Sequence, residues 1–89
     1  MINNKDKAKI IALAKKYKVK SIYLFGSSID SVRKARDIDL GVDGVEPRYF
    51  FKMYGELMRN LSKPVDLVDL SKKNRFNKLV EERGIKIYG

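Results

Sequence analysis

The chain contains no cysteine, no histidine and no tryptophan, and only two prolines in 89 residues. Without cysteine there is no disulfide framework, and without cysteine or histidine there is no soft metal site. Any metal must then be held by oxygen, which points toward magnesium or manganese. Long apolar runs are missing too. The longest, Ile10 to Ala14, holds five residues, against the roughly 20 needed to span a bilayer, so no membrane segment is expected. Met1 to Asp6 lack the apolar core of a signal peptide and carry an early acid, so the expected location is the cytoplasm. Acidic residues are also few: 11 stand against 20 basic ones, a net charge of +9. A field of that sign attracts nucleic acid, nucleotides or an acidic protein. A solvated lysine surface explains it equally well, because Lys5, Lys7, Lys9, Lys15, Lys16, Lys18 and Lys20 are strung along one segment.

What is present suits one small folded domain over residues 1–89. Hydrophobic content of 44% beside 35% charged residues excludes a disordered tail. Residues 4–18 read as a helix, with Ile10, Leu13, Ala14 and Tyr17 on one face. Ser21 to Phe25 reads as a buried strand stopping at Gly26, and Ser27 to Ala35 as a short polar helix. Asp37 to Val42 forms a second strand. Val45-Glu46-Pro47 opens a helical segment striped by Phe50, Met53, Tyr54, Leu57, Met58 and Leu61. Val65 to Leu70 forms a third strand, Asn74 to Arg83 a helix stopped by Gly84, and Ile85 to Tyr88 an edge strand. The expected fold class is α/β (α+β): a small mixed β-sheet with helices packed on it. Phe50, Phe51 and Tyr54 read as core rather than as a base-stacking surface. The third segment holds more apolar residues than one helix face needs, so part of it is expected to contact another subunit, a second copy or a different protein.

Three features bear on chemistry. Leu24-Phe25-Gly26-Ser27-Ser28 is an apolar strand ending in Gly-Ser. Glycine there allows close approach of a ligand, and amides at a following helix start would face a phosphate. There is no Walker lysine and no Gly-x-Gly-x-x-Gly, which excludes P-loop and Rossmann readings. Asp37-Ile38-Asp39-Leu40 puts two acids on one face of a strand. Two adjacent like charges repel, and a divalent cation is the usual reason to keep them. Asp66, within Val65-Asp66-Leu67-Val68, is an acid in an otherwise apolar strand, where burial is costly unless compensated. If that strand pairs with the Asp37 strand, Asp66 completes a three-carboxylate cluster. Asp69, of opposite parity, is an ordinary turn or surface acid.

Gly26-Ser27, nine residues, Asp37-Ile38-Asp39-Leu40 and then Val65-Asp66-Leu67-Val68 together resemble the signature of the DNA polymerase β-like nucleotidyltransferase superfamily. The small size resembles its minimal, stand-alone branch, often paired with a HEPN-domain protein in toxin–antitoxin modules. The resemblance implies that Gly26 and Ser27 hold the β- and γ-phosphates of a nucleoside triphosphate, ATP foremost. It implies that Asp37, Asp39 and Asp66 bind two Mg2+ ions, with Mn2+ a possible substitute, and that Asp66 is a candidate base for the incoming hydroxyl. Arg33, Lys34 and Arg36 lie between the motifs and could neutralise phosphate charge. Many members carry an Ala-Arg-Gly-like stretch after Gly-Ser and a serine before the first acid; here Ser28-Ile29-Asp30 and Arg36 stand in those places.

The leading expectation is transfer of AMP from ATP to an acceptor hydroxyl, on a HEPN-type partner by family association. The alternative is a non-catalytic antitoxin that acts by binding. A third is a small basic nucleic-acid-binding protein; no RNP motif, zinc-finger spacing or clear helix-turn-helix accompanies the charge.

Overall fold

The structure, a computed structural model, describes residues 2–26 and 37–89. Ser27 and the short helix expected over 27–35 lie outside the described residues. Helix α1 (Asn4–Lys16) starts where the Asn3 side chain accepts the Asp6 amide at 2.7 Å, satisfying one of the free first-turn donors. It ends two residues before the sequence expectation because Lys18 turns left-handed, with φ 53°. Strand β1 (Ser21–Phe25) follows, then β2 (Ile38–Asp43). A 3-10 turn, Pro47–Tyr49, leads into α2 (Phe50–Asn60). Strand β3 (Val65–Asp69), α3 (Arg75–Arg83) and β4 (Ile85–Tyr88) complete the order. The Asn74 side chain caps α3 by accepting the Asn77 amide at 2.8 Å.

The four strands form one mixed sheet in the order β3-β2-β1-β4. β1 pairs antiparallel with β2 and with β4, whereas β2 and β3 run parallel. A parallel pair needs a crossover, and α2 supplies it. The register sets Leu24, Leu40 and Leu67 side by side across three strands. These residues, with Ile22, Ile38 and Val42, are buried in one cluster with Ile10 and Ala14 of α1 and Met53 and Leu57 of α2. Strand periodicity of two and helical periodicity of 3.6 thus meet in a single core layer. On the opposite face α3 meets β1, where Phe76 stands edge-on to Phe25 with ring centroids 5.8 Å apart. Gly41 lies on that face beneath Leu70; a Cβ at Gly41 would come within 2.7 Å of the Leu70 Cδ1.

Polar contacts tie α1 to distant chain, among them Lys9 Nζ donating to the Asn60 carbonyl at 2.8 Å. Buried Asp6 accepts the Ser62 amide at 3.1 Å and the Ser62 hydroxyl. Lys16 and Tyr17 both donate to Glu56 of α2, the lysine at 2.6 Å.

Phe51 departs from the core expectation. Phe50 and Tyr54 pack at the core edge, but Phe51 is 79% exposed and Met58 57% exposed. One helix face can press on a sheet, and that face is taken by Met53 and Leu57.

Candidate active site

The candidate site lies at the end of the sheet where β1 finishes and β2 begins. Gly26 follows β1 with φ 65°, a left-handed conformation that glycine adopts without steric cost. A Cβ at Gly26 would overlap the Asp39 Oδ2 and stand 3.1 Å from the Asp39 Cγ. The turn backbone and this carboxylate are therefore in direct contact, and only glycine leaves room for both. Phe25 is the register partner of Asp39, so the turn and the acid meet because adjacent strands bring them level.

The parallel ladder then sets Asp39 opposite Asp66. Strands lie about 4.8 Å apart, so the two carboxylates stand on one face of the sheet as near neighbours. Asp37 sits at the bend just before β2 and is exposed; Asp39 is half-buried. The pairing on which Asp66 depended in sequence is thus present. Among the described residues, no three acidic side chains gather closely enough to form a metal-holding group. Asp37, Asp39 and Asp66 share a strand end, with the second and third in register.

Asp66 is exposed rather than buried. The burial cost expected for an acid in an apolar strand does not arise, because β3 is an edge strand and its outer face is open. The Tyr54 hydroxyl, from α2, lies 3.4 Å from the Asp66 Oδ1. Sequence reading missed this residue: its place in an apolar stripe marked the ring as core, and nothing in the pattern marked the hydroxyl. Asp69, as expected, serves a turn, accepting the Ser71 amide at 2.9 Å.

The donor set suits a hard cation. Carboxylate oxygen is the available donor chemistry in a chain with neither cysteine nor histidine. Magnesium needs only one or two carboxylates when substrate phosphates complete its shell. Two adjacent carboxylates repel each other, and a divalent ion would relieve that repulsion. Gly26 adds a backbone surface next to Asp39 that a side chain would close.

Comparison with known proteins gives the family and its structural relatives. The family model for polymerase beta nucleotidyltransferases matches residues 8–89. A toxin–antitoxin crystal structure with AMP-PNP is similar at TM-score 0.74 and 29% identity, over 93% of this chain and 73% of that one. A complex of tri-AMPylated Shewanella oneidensis HEPN toxin with MNT antitoxin matches at TM-score 0.70 and 29% identity, over 94% and 70% of the respective chains. The toxin–antitoxin pair MntA-HepT matches at TM-score 0.68 and 28% identity, over 94% and 70%. A search of curated proteins returns no match. With its Gly26 turn against Asp39 and its carboxylates level across β2 and β3, the chain belongs to the polymerase beta nucleotidyltransferase family.

Proposed function

We propose that this chain moves AMP from ATP onto an acceptor hydroxyl of a HEPN-type partner, as the antitoxin of a toxin–antitoxin pair, with residues 1–89 acting as one catalytic domain in the cytoplasm. The observation that carries this is the register pairing of Asp39 with Asp66 beside the Gly26 turn. Family membership supports it. So do the relatives, one a toxin–antitoxin complex with AMP-PNP and one a tri-AMPylated HEPN toxin with its MNT antitoxin. No helix among the described residues is long and apolar enough to cross a membrane.

Asp37, Asp39 and Asp66 are the residues that would hold two Mg2+ ions, and Gly26 with Ser27 would hold the β- and γ-phosphates. Bound divalent ions supply countercharge to the attacking and leaving oxygens of an in-line displacement. The acceptor oxygen bonds to the α-phosphorus as the bond from that phosphorus to the β-phosphate oxygen breaks. Pyrophosphate leaves, and the acceptor proton passes to the Asp66 carboxylate. The Tyr54 hydroxyl, 3.4 Å from the Asp66 Oδ1, orients that carboxylate. The protein's contribution is position and charge rather than a covalent intermediate.

Incubation with α-labelled ATP, Mg2+ and the co-encoded neighbouring protein tests the proposal. Label is expected on the partner with wild type and not with Asp39→Asn. Equal labelling by both would remove Asp39 from the reaction.

Exposed Phe51 and Met58, seven residues apart on α2, favour a second reading in which the chain silences its partner by association. In that case Asp37→Asn/Asp39→Asn still neutralises the partner, and titration with ATP and Mg2+ gives no heat of binding.

A further inference from the structure

At the other end of the β1–β2 pair lies a cleft of about 540 Å³ that the nucleotidyl transfer site does not use. It is bounded by the end of α1, the residues after β2 and the first turn of α2, whereas Gly26 and Asp39 stand at the opposite strand ends. The length of β1, about 14 Å at the usual rise per residue, separates the two places. Four cations line the cleft, Lys16, Lys18, Arg48 and Lys52, against a single acid, Glu46. Two of the cations are already engaged: Lys16 with Glu56 at 2.6 Å and Arg48 with Glu46 at 2.9 Å. Lys18 and Lys52 make no ion pair among the described residues.

Two further features distinguish the cleft from a solvated lysine surface. Lys18 is the one non-glycine residue among the described residues with positive φ, 53°. The left-handed conformation is unfavourable for a residue with a Cβ, and glycine or asparagine is the usual occupant after a helix. The chain nevertheless keeps a lysine there, on the rim of the cleft. The second feature is a guanidinium held over an aromatic ring. The Arg48 guanidinium lies 4.8 Å from the centroid of the Tyr49 ring, and Tyr49 itself packs on Tyr17 at 5.9 Å. Glu46 accepts a hydrogen bond from the Arg48 Nε at 2.9 Å, an exposed pair on the rim of the cleft. Bases stack on such planes, while free ammonium groups take phosphate.

We infer that this cleft is a second nucleotide-binding site, in which Lys18 and Lys52 take a phosphate and the Arg48–Tyr49 stack takes its base. The shared chemistry is a base carrying a phosphate, either as a free nucleotide or as one unit of a single strand.

Binding of the full chain to a short labelled single-stranded RNA, to AMP and to inorganic tripolyphosphate, all in EDTA, tests this apart from nucleotidyl transfer. Wild type is expected to bind the RNA with an affinity that falls steeply with salt. Lys18→Gly relieves the left-handed strain, so its Tm is expected at or above that of wild type while RNA affinity drops about tenfold for one lost charge-assisted contact. Lys52→Ala is expected to weaken binding similarly. Arg48→Ala is expected to weaken RNA more than tripolyphosphate, and Asp39→Asn to bind RNA as wild type does. Displacement of the RNA by AMP assigns the site to free nucleotides; failure of AMP to displace it assigns the site to a strand. Unchanged RNA affinity in both Lys18→Gly and Lys52→Ala would overturn the inference. So would loss of RNA binding in Asp39→Asn, equal losses for RNA and tripolyphosphate in Arg48→Ala, or lysine variants that impair only association with an acidic protein.

Discussion

Gly26 concentrates two requirements in one residue. Its φ of 65° disfavours any side chain, and its Cα faces the Asp39 carboxylate with no space for a methyl group. Gly26→Ala is therefore expected to cost about 1–2 kcal/mol of stability from the backbone alone. It should also push the carboxylate off its place. Nucleotidyl transfer should fall by a larger factor than stability accounts for, and comparing thermal melts with labelled-ATP transfer separates the two losses. Asp6 is a different case, remote from the site. The residue is 3% exposed, and its carboxylate takes both the amide and the hydroxyl of Ser62. Asp6→Ala leaves those donors without a partner, and urea unfolding is expected to register a loss of about 1–3 kcal/mol. Ser62→Ala, which retains the amide bond, should lose less.

Among the elements, α2 has two opposite faces with different tasks. Leu57 is fully buried against the sheet, so Leu57→Ala should cost about 2–5 kcal/mol by chemical denaturation. Met58, next in sequence and 57% exposed, should tolerate Met58→Ser with little change in stability; any loss of partner binding by that variant would assign the exposed face to the interface. The junction of α1 with α2 carries a titration signature. Burial, reinforced by the hydrogen bond to Glu56, pushes the Tyr17 phenol up to about 12. The protonated phenol is thus favoured by folding. Its contribution is full below the ordinary tyrosine value near 10 and is lost as pH rises toward 12. The Lys16 ammonium and then the Tyr17 hydroxyl hold Glu56 below the usual carboxylate range. That contribution is present above a pH of about 4.3 and fades as pH falls. Thermal melts across pH should show wild-type Tm dropping between about pH 10 and 12, with a shallower drop in Tyr17→Phe.

For the molecule as a whole the dominant electrostatic fact is its net charge of +9. Self-repulsion at that charge opposes compaction and is screened by salt. Ion pairs that salt would weaken include Lys16–Glu56, Arg48–Glu46 and Lys73–Glu81, each with an exposed cation. Raising ionic strength from very low to physiological is therefore expected to raise Tm. A fall in Tm on adding salt would mean that attractive pairs outweigh the repulsion. The same field would draw a polyanion to either end of the β1–β2 pair, the proposed phosphate turn at one and the four-cation cleft at the other.

Local pattern was enough for much of this. The stripe of Ile10, Ala14 and Tyr17 announces α1 and its buried face, and the alternation of Asp37-Ile38-Asp39-Leu40 announces a strand with acids on one side. Motif spacing carried the family resemblance, because Gly-Ser and Asp-x-Asp are tied to local backbone geometry that a linear reading can hold. Contacts between distant segments were not legible. Nothing linear states that β3 lies parallel to β2 with Asp66 level with Asp39, since strand partners are chosen by packing across the whole sheet. Edge position, and with it the exposure of Asp66, follows from that same choice. Likewise nothing linear pairs Asp6 with Ser62, 56 residues away, whose amide it accepts. The chain's own pattern dictated its elements, its oxygen-only donor set and the identity of its acids, because these depend on residues within a turn or a strand of each other. Folding in three dimensions settled which acids are neighbours, which aromatic ring is left in water and where Tyr54 puts its hydroxyl, because burial and register are properties of the assembled layers.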